Sequence, residues 1–586
     1  METYKGIQFF SNKGTVKNAF KKSNLGYEVM LDRKEDENFI YSNYEHVETQ
    51  VEKDSKGMVV CKKYKNTYEI LVEKVKEKRL GVLLVGIGGN NATTMLGGIC
   101  ANAKDLSYMN KCDLKRSNYL GSVFLSSNIR LGYNEKDKEH AYAPIYKLID
   151  IYNPENIVYG GWDINNMNLK DCLVRNKVFD NEVIEKIKDD LDYVPLKSVY
   201  FKGNFIAGNQ QRRVNNILYG KNKLEILEQV REQIRNFKKQ NNLNELIVLW
   251  SGNTEKNIPH IPGVNDTFLN ILHACKKNHE SVSPSVIYAL AAILENSPFI
   301  NSSPQNTLVS AVVQLAQQKG IFIIGNDLKT GQTKIKNFLL DFYFGTDDAR
   351  IKTKRASKKV SKSNLICDYV RANENLYVDD EKDTNVLVKK SIDYCEGDSL
   401  NEKGKVSADI EDDCTYVESL EKQKVNSEIV IKYVPYVGDD KKAIDEYISE
   451  IFMNGKNTIV LYNICQDSML ASPILIDLIL LVELSQRVFF KPNQEKKTNE
   501  DEHLLNENIQ IEDYKLSHTI LKPKYSSFKN LDSVLFLSSL FCKSPFNSTV
   551  YKTRHSFFSQ LESLWNFVRI ISGLPIDAHI DLPYMI

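Results

Sequence analysis

The stretch Gly81-Val-Leu-Leu-Val-Gly86-Ile-Gly88-Gly89-Asn90-Asn91-Ala92-Thr93-Thr94 constrains this chain more than any other. Residues 81–85 form a short, unbroken apolar run, the pattern of a parallel strand buried on both faces. That run passes into glycines and small polar residues, and then into helix-compatible sequence over 95–101. Strand, tight turn and helix N-terminus together make a cradle for an anion. Glycines at 86, 88 and 89 let a pyrophosphate approach the main chain, and the unpaired N–H groups of the new helix attract it. Thr94 stands where a third spaced glycine would complete the dinucleotide fingerprint. Taken alone, the pattern serves equally well as a glycine turn that closes a strand–helix unit.

Downstream of this turn the chain alternates in period. Strand patterns at 121–126, 157–160, 246–250 and 321–324 are separated by amphipathic helices such as 224–241. Alternation of this kind predicts an α/β chain with a doubly wound, Rossmann-like parallel sheet. The acid that holds a ribose is expected about twenty residues past the glycines. Asp163, in Gly160-Gly-Trp-Asp-Ile-Asn, lies much farther along, so an elaborated version of the fold is expected.

Composition narrows the function classes. With 77 basic and 76 acidic side chains there is no basic excess, which argues against nucleic-acid binding. Ten cysteines without a Cys-x-x-Cys pair indicate neither a metal site nor a disulfide framework, but free thiols in a reducing compartment. The N-terminus lacks the apolar core of a secretory signal. Residues 474–484 are the most membrane-like, yet Asp477 and Glu483 interrupt a run too short to span a bilayer. A buried helix with Ser472 as N-cap and Pro473 in its first turn is expected instead, in a cytoplasmic protein without membrane attachment. Residues 370–428 and 491–512 are charged, aperiodic insertions around a patterned block that begins with a strand at 429–433.

Longer motifs identify a relationship. They include Val85-Gly-Ile-Gly-Gly-Asn-Asn91, Gly161-Trp-Asp-Ile-Asn165, Ile206-Ala-Gly-Asn-Gln210, Val248-Leu-Trp-Ser-Gly-Asn-Thr-Glu255 and Pro298-Phe-Ile-Asn-Ser-Ser-Pro-Gln-Asn-Thr307. Gly325-Asn-Asp-Leu-Lys-Thr-Gly-Gln-Thr-Lys334, Val434-Pro-Tyr-Val-Gly-Asp-Asp-Lys441 and Glu450-Ile-Phe-Met-Asn-Gly-Lys-Asn-Thr-Ile-Val460 continue the series. In these motifs the chain resembles the myo-inositol-1-phosphate synthase family, also called inositol-3-phosphate synthases. The resemblance implies an NAD-dependent isomerase that converts D-glucose 6-phosphate to 1D-myo-inositol 3-phosphate, the first step of inositol biosynthesis. In that reaction the sugar is oxidised at C5, enolised at C6, closed on C1 by an aldol step and reduced again, so NAD is not consumed. A homotetramer is implied as well.

The architecture implied is an N-terminal segment (1–78) that packs with the C-terminal part, and a Rossmann-like NAD-binding domain (79–328). A catalytic and tetramerisation α+β domain with a mixed sheet (329–468) and the C-terminal part of the central domain (469–586) complete it.

Oxidation, enolisation and aldol closure all move negative charge onto sugar oxygens, which fixed cations stabilise. Lysines suit this, and they also pass protons when crowding or desolvation lowers their pKa. By resemblance, Lys358 and Lys543 serve proton transfer around the oxidised carbon and the ring-closing oxyanion, while Lys362 and Lys441 hold phosphate and hydroxyls. The cofactor-binding set implied is Gly86, Gly88, Gly89, Asn90, Asn91, Asp163, Gln210, Arg213, Ser251, Gly252, Asp327, Thr330, Asp439, Asp467 and Ser468. For Asp467 the competing role is a helix cap; Trp162 and Trp250 read as packing residues.

The family carries a longer stretch with an Asn-Asn-Asp-Gly motif where this chain has only 345–357. That shortening supports a second reading: a catalytically impaired, NAD-binding homotetramer of the same fold. Arg212, where the family has a glutamate, reverses a charge near the expected cofactor. A third reading, an NAD dehydrogenase on another phosphorylated polyol, fits the lysine set least.

Overall fold

The computed structural model describes residues 4–9, 29–31, 33–53, 58–75, 78–110, 113–134, 136–201, 205–206, 208–335, 337–339, 386–390, 428–432, 437–450, 456–492, 509–511, 514–516, 528–531, 534–543 and 557–577. Among these, eleven strands and six helices position the site. The strands are β1 (Phe39–Lys53), β2 (Val59–Glu73), β3 (Leu80–Val85), β4 (Val158–Asp163), β5 (Leu196–Lys197), β6 (Glu245–Trp250), β7 (Phe299–Asn301), β8 (Ile323–Gly325), β9 (Asp440–Glu450), β10 (Lys456–Gln466) and β11 (Val488–Pro492). The helices are α1 (Asn90–Ala103), α2 (Leu169–Asn176), α3 (Lys223–Gln240), α4 (Pro284–Leu294), α5 (Asp467–Gln486) and α6 (Phe557–Ile571).

The central sheet runs β5-β4-β3-β6-β7-β8 with every pair parallel. Numbered along the sheet's own strands this is the order 3-2-1-4-5-6, in which the winding reverses between β3 and β6. Alternation within β3 divides the core. Val82 and Leu84 face the layer that holds α1 and α5, and Leu83 and Val85 face the layer that holds α3 and α4. An unbroken apolar strand is thus accounted for by burial on both faces.

The long interval between β3 and β4 is filled by α1 and by two antiparallel hairpins, Ser107–Asn110 with Asp113–Arg116 and Asn128–Asn134 with Glu139–Pro144. This explains why Asp163 sits so far from the glycines: it remains at the carboxyl end of the second sheet strand, but the connection is enlarged. A second sheet joins residues from both ends of the chain. It runs Lys34–Glu35, β1, β2, β11 and Lys529–Asn530, antiparallel throughout. The mixed sheet implied for the catalytic region, like most of the insertions at 370–428 and 491–512, falls largely outside the described residues. Of that region, the described strands β9 and β10 form a two-stranded antiparallel ribbon.

Two local expectations are corrected. Residues 121–126 are not a strand: Ser122 caps a short helix, Val123–Ser126, and its hydroxyl accepts from the Leu125 N–H. The carboxylate of Asp477 on α5 takes the Ser122 hydroxyl and the N–H groups of Val123 and Phe124, so a distant residue decides this conformation. The apolar helix begins at Asp467 rather than after Ser472. Pro473 lies inside it, and Ser472 donates back to the Ser468 carbonyl at 2.8 Å. Within the N-terminal segment, β1 and β2 are each fifteen residues long. α5 is the one described helix long and apolar enough to cross a membrane, and it is mostly buried inside the fold.

Candidate active site

The glycine turn sits at the switch point of the sheet. Gly86 has φ +82°, and a Cβ added there would lie 2.5 Å from the Gly252 Cα, just past the end of β6. Glycine is therefore needed at 86 for the β3 and β6 loops to pass each other. The Gly86 and Ile87 N–H groups donate to the Trp162 carbonyl at 2.8 and 3.1 Å, which ties the turn to β4. Gly89 caps α1 without a side-chain hydrogen bond. A helix N-terminus of this kind, beside closely approaching backbone, fits the pyrophosphate of a dinucleotide.

Asp163 ends β4 and turns into this cradle. Its carboxylate accepts from the Gly88 N–H and the Asn165 N–H, both at 3.0 Å. Burial raises its pKa, against the pull of those hydrogen bonds and of Arg213 and Arg175. Gln210 accepts from the Arg213 guanidinium at 3.0 Å, and the Arg213 carbonyl accepts from the Asn165 side chain. Arg212 beside it is exposed. On the other side of the switch point, both the N–H and the hydroxyl of Ser251 donate to the Val85 carbonyl. Trp162 and Trp250 pack against Tyr288 in the core, as packing residues.

A second group closes over the end of α1. Asp439, after the left-handed Gly438 (φ +66°), accepts from the Ser468 N–H at 3.1 Å and the Ser468 hydroxyl at 2.5 Å. The Asn90 side chain also bonds to Asp439, whose pKa is raised by burial and, to a lesser degree, by Asp467. The Asp467 N–H donates to the Asp439 carbonyl, and Asp467 opens α5 with Gln466 as N-cap, so its side chain is not the cap. Asn91 sits next in the half-buried first turn of α1. Lys441, exposed near the start of β9, pairs in register with Cys465, and its charge acts on that thiol together with Asp467 and Asp439.

A third group forms where β8 ends. An isolated antiparallel bridge joins Leu328 to Cys542, and the Lys543 N–H donates to the Asp327 carbonyl. This lacing sets Lys543 Nζ 2.8 Å from Asp327 Oδ2. Thr330 is buried, with its carbonyl accepting from the Lys334 N–H. The fold thus gathers Gly86, Gly88, Gly89, Asn90, Asp163, Ser251 and Gly252 at one end of the sheet, with Asp439, Asp467 and Ser468 joined through Asn90. Lys358, Lys362 and the shortened segment 345–357 lie outside the described residues.

Residues not expected at the site also appear. Arg175 and Asn176, at the end of α2, both donate to the Gly88 carbonyl, at 2.8 and 3.3 Å. No motif marks them. Ser303 donates to the Gly252 carbonyl at 2.9 Å. It stands within a motif that already carried the resemblance.

The family model described as myo-inositol-1-phosphate synthase, in its NAD-binding domain class, matches residues 80–569. The chain belongs to the myo-inositol-1-phosphate synthase family. Inositol-3-phosphate synthase 1 of Plasmodium falciparum (isolate 3D7) is 96% identical, and the alignment covers 100% of each chain. It spans 604 positions against the 586 residues of this chain, so at least 18 of its positions have no residue here. The inositol-3-phosphate synthase of Dictyostelium discoideum is 40% identical over 77% of this chain and 83% of its own. The crystal structure of inositol-3-phosphate synthase from Caenorhabditis elegans superposes with a TM-score of 0.75 at 31% identity, covering 96% of this chain and 98% of that one. Family membership thus accounts for the fold and for the ordered motifs from the glycine turn onward.

Proposed function

We propose that the chain is an inositol-3-phosphate synthase, the NAD-dependent isomerase that turns glucose 6-phosphate into inositol 3-phosphate. The observation that carries this reading is the 96% identity over the whole chain to a synthase of that name. It favours the active isomerase over an impaired binding protein. NAD, when bound, takes a hydride from the sugar and returns it. The cradle at Gly86, Gly88 and Gly89 suits the pyrophosphate, Asp163 suits the adenosine ribose, and Ser251 with Gly252 forms the opposite wall. Asp327, Thr330, Asp439, Asp467 and Ser468 line the remaining wall in this reading, and Gln210 with Arg213 flanks the ribose.

Lys543 is assigned the proton-carrying role around the oxidised carbon. Its ammonium is largely buried and rests on Asp327, where it can hold or release a proton beside a developing oxyanion. Lys441 is assigned to phosphate and hydroxyls. Lys358 and Lys362 keep the roles that the motif match gives them. A homotetramer is supported by the β9–β10 ribbon. Ile444, Val460, Tyr462 and Ile464 are all exposed, and the register puts them on one face of a sheet that has two strands among the described residues. Such a ribbon is marginal alone in water, and a second copy of the chain would cover it. Cytoplasmic residence is part of the same proposal.

The test is one incubation with glucose 6-phosphate and NAD, following inositol phosphate and NADH absorbance together. Inositol phosphate without net NADH is expected. Stoichiometric NADH would overturn the isomerase reading in favour of a dehydrogenase, and NAD binding without product would overturn it in favour of the impaired form. Sedimentation of the same preparation reads the tetramer.

A further inference from the structure

We propose that Lys329 is a positioning residue that sets the place and proton affinity of Lys543. Lys329 is a buried lysine that lies two residues past Asp327. Its Nζ donates to the Ser539 carbonyl at 2.6 Å and to Gln560 Oε1 at 3.1 Å, and Gln560 is itself buried on α6. The Lys329 N–H donates to the Phe541 carbonyl at 2.8 Å. One residue therefore pins the 539–541 turn from both its backbone and its side chain, immediately before Lys543. The Leu328–Cys542 bridge and the Lys543 N–H bond to the Asp327 carbonyl continue the same lacing.

Burying an ammonium is costly, so a neutral side chain of similar length would serve packing better. What the charge adds is a positive field at the turn. That field reaches Cys542: burial, aided by Asp327, pushes this thiol up to about 12, against the Asn326 backbone and the charges of Lys329 and Lys334, which pull it down. Asp327 pairs with Lys543, while the charges of Lys329 and Lys334 act on the adjoining Cys542, with Asp477 acting on Lys334 from α5. The Asp327 carboxylate, 2.8 Å from Lys543 Nζ, opposes that positive field. A like charge nearby lowers an amine's pKa, and it does so more strongly in a dry site.

The inference rests on the proposed role of Lys543, and the experiment separates the two. In the holoenzyme, turnover is followed against pH, and the reactivity of the Lys543 amine toward acetic anhydride is followed against pH by mass spectrometry. In Lys329→Met the turnover rate should fall by roughly tenfold to a hundredfold, as expected when a reacting group is slightly misplaced. KM for glucose 6-phosphate should stay within about threefold, since ground-state binding is untouched. The labelling midpoint of Lys543 should rise by roughly half a pH unit or more, because a like charge has been removed.

Gln560→Glu leaves Lys329 in place but sets a carboxylate beside it. This variant should move the midpoint the same way by a smaller amount. It decides the matter if Lys329→Met does not fold: an unmoved midpoint in Gln560→Glu then overturns the proposal. An unmoved midpoint in a folded Lys329→Met overturns it as well. Full turnover by Lys543→Gln would instead remove the role of Lys543 and leave the Lys329 labelling result to stand by itself.

Discussion

Replacing Gly86 by alanine tests the switch-point geometry most directly. At φ +82° an L side chain is strained, and the new Cβ would meet the Gly252 Cα at 2.5 Å and the Gly252 N at 2.9 Å. Both are backbone atoms, so no flexible side chain can turn away. Strands β3 and β6 cannot absorb the clash either. Val85 pairs in register with Trp250, and the Ser251 N–H donates to the Val85 carbonyl at 2.9 Å. The Ser251–Gly252 turn must therefore move outward, across the crevice. The left-handed backbone costs about 1–2 kcal/mol. Overpacking adds about 1–3 kcal/mol. If about half of the combined 2–5 kcal/mol is felt by the cofactor, NAD affinity falls roughly fivefold to seventyfold. Calorimetric titration with NAD reads the affinity, and a guanidinium unfolding midpoint reads the stability. A Gly86→Ala protein with an unchanged midpoint, and an NAD affinity within about twofold of wild type, would refute the argument that this close approach shapes the site.

Three further outcomes are expected. Burial pushes the Asp477 carboxyl up to about 7 from 3.8, against its three hydrogen bonds and Lys334. Its stabilising effect is therefore complete below about pH 4 and is lost as pH rises through about 7, a change on the order of 4 kcal/mol. Asp477→Asn does not ionise, so its stability deficit relative to wild type should shrink between pH 5 and pH 8; a deficit constant across that window in denaturation curves would count against this. Glu483→Gln leaves the buried Arg487 guanidinium, which also donates to the Glu73 and Asp150 carbonyls, without its carboxylate. It should cost about 3–5 kcal/mol in chemical denaturation. Lys543→Gln should lower turnover by about a hundredfold or more, as expected for loss of a proton-transfer group. NAD affinity measured by titration should stay the same.

Short-range chemistry made much of this protein legible from residue order alone. β3 and β6 are unbroken apolar runs because both of their faces are buried, and that signal needs no partner to be seen. The glycine turn was visible because positive φ and close backbone approach demand glycine at 86, and the helix over 223–240 because its apolar stripe repeats at the helical period. Tertiary structure decided whatever depended on a distant partner. Residues 121–126 carry an apolar run that suits a strand, and became a capped helical turn because the Asp477 carboxylate arrives from 355 residues away. The ribbon of β1 and β2 had no readable period because much of its length is exposed on both faces. The meeting of Asn90 with Asp439, and of Asp327 with Lys543, depends on the docking of α5 on α1 and on a single antiparallel bridge. Local sequence encodes periodicity and backbone tolerance, whereas the assembly of charges from remote segments is fixed only when the layers pack.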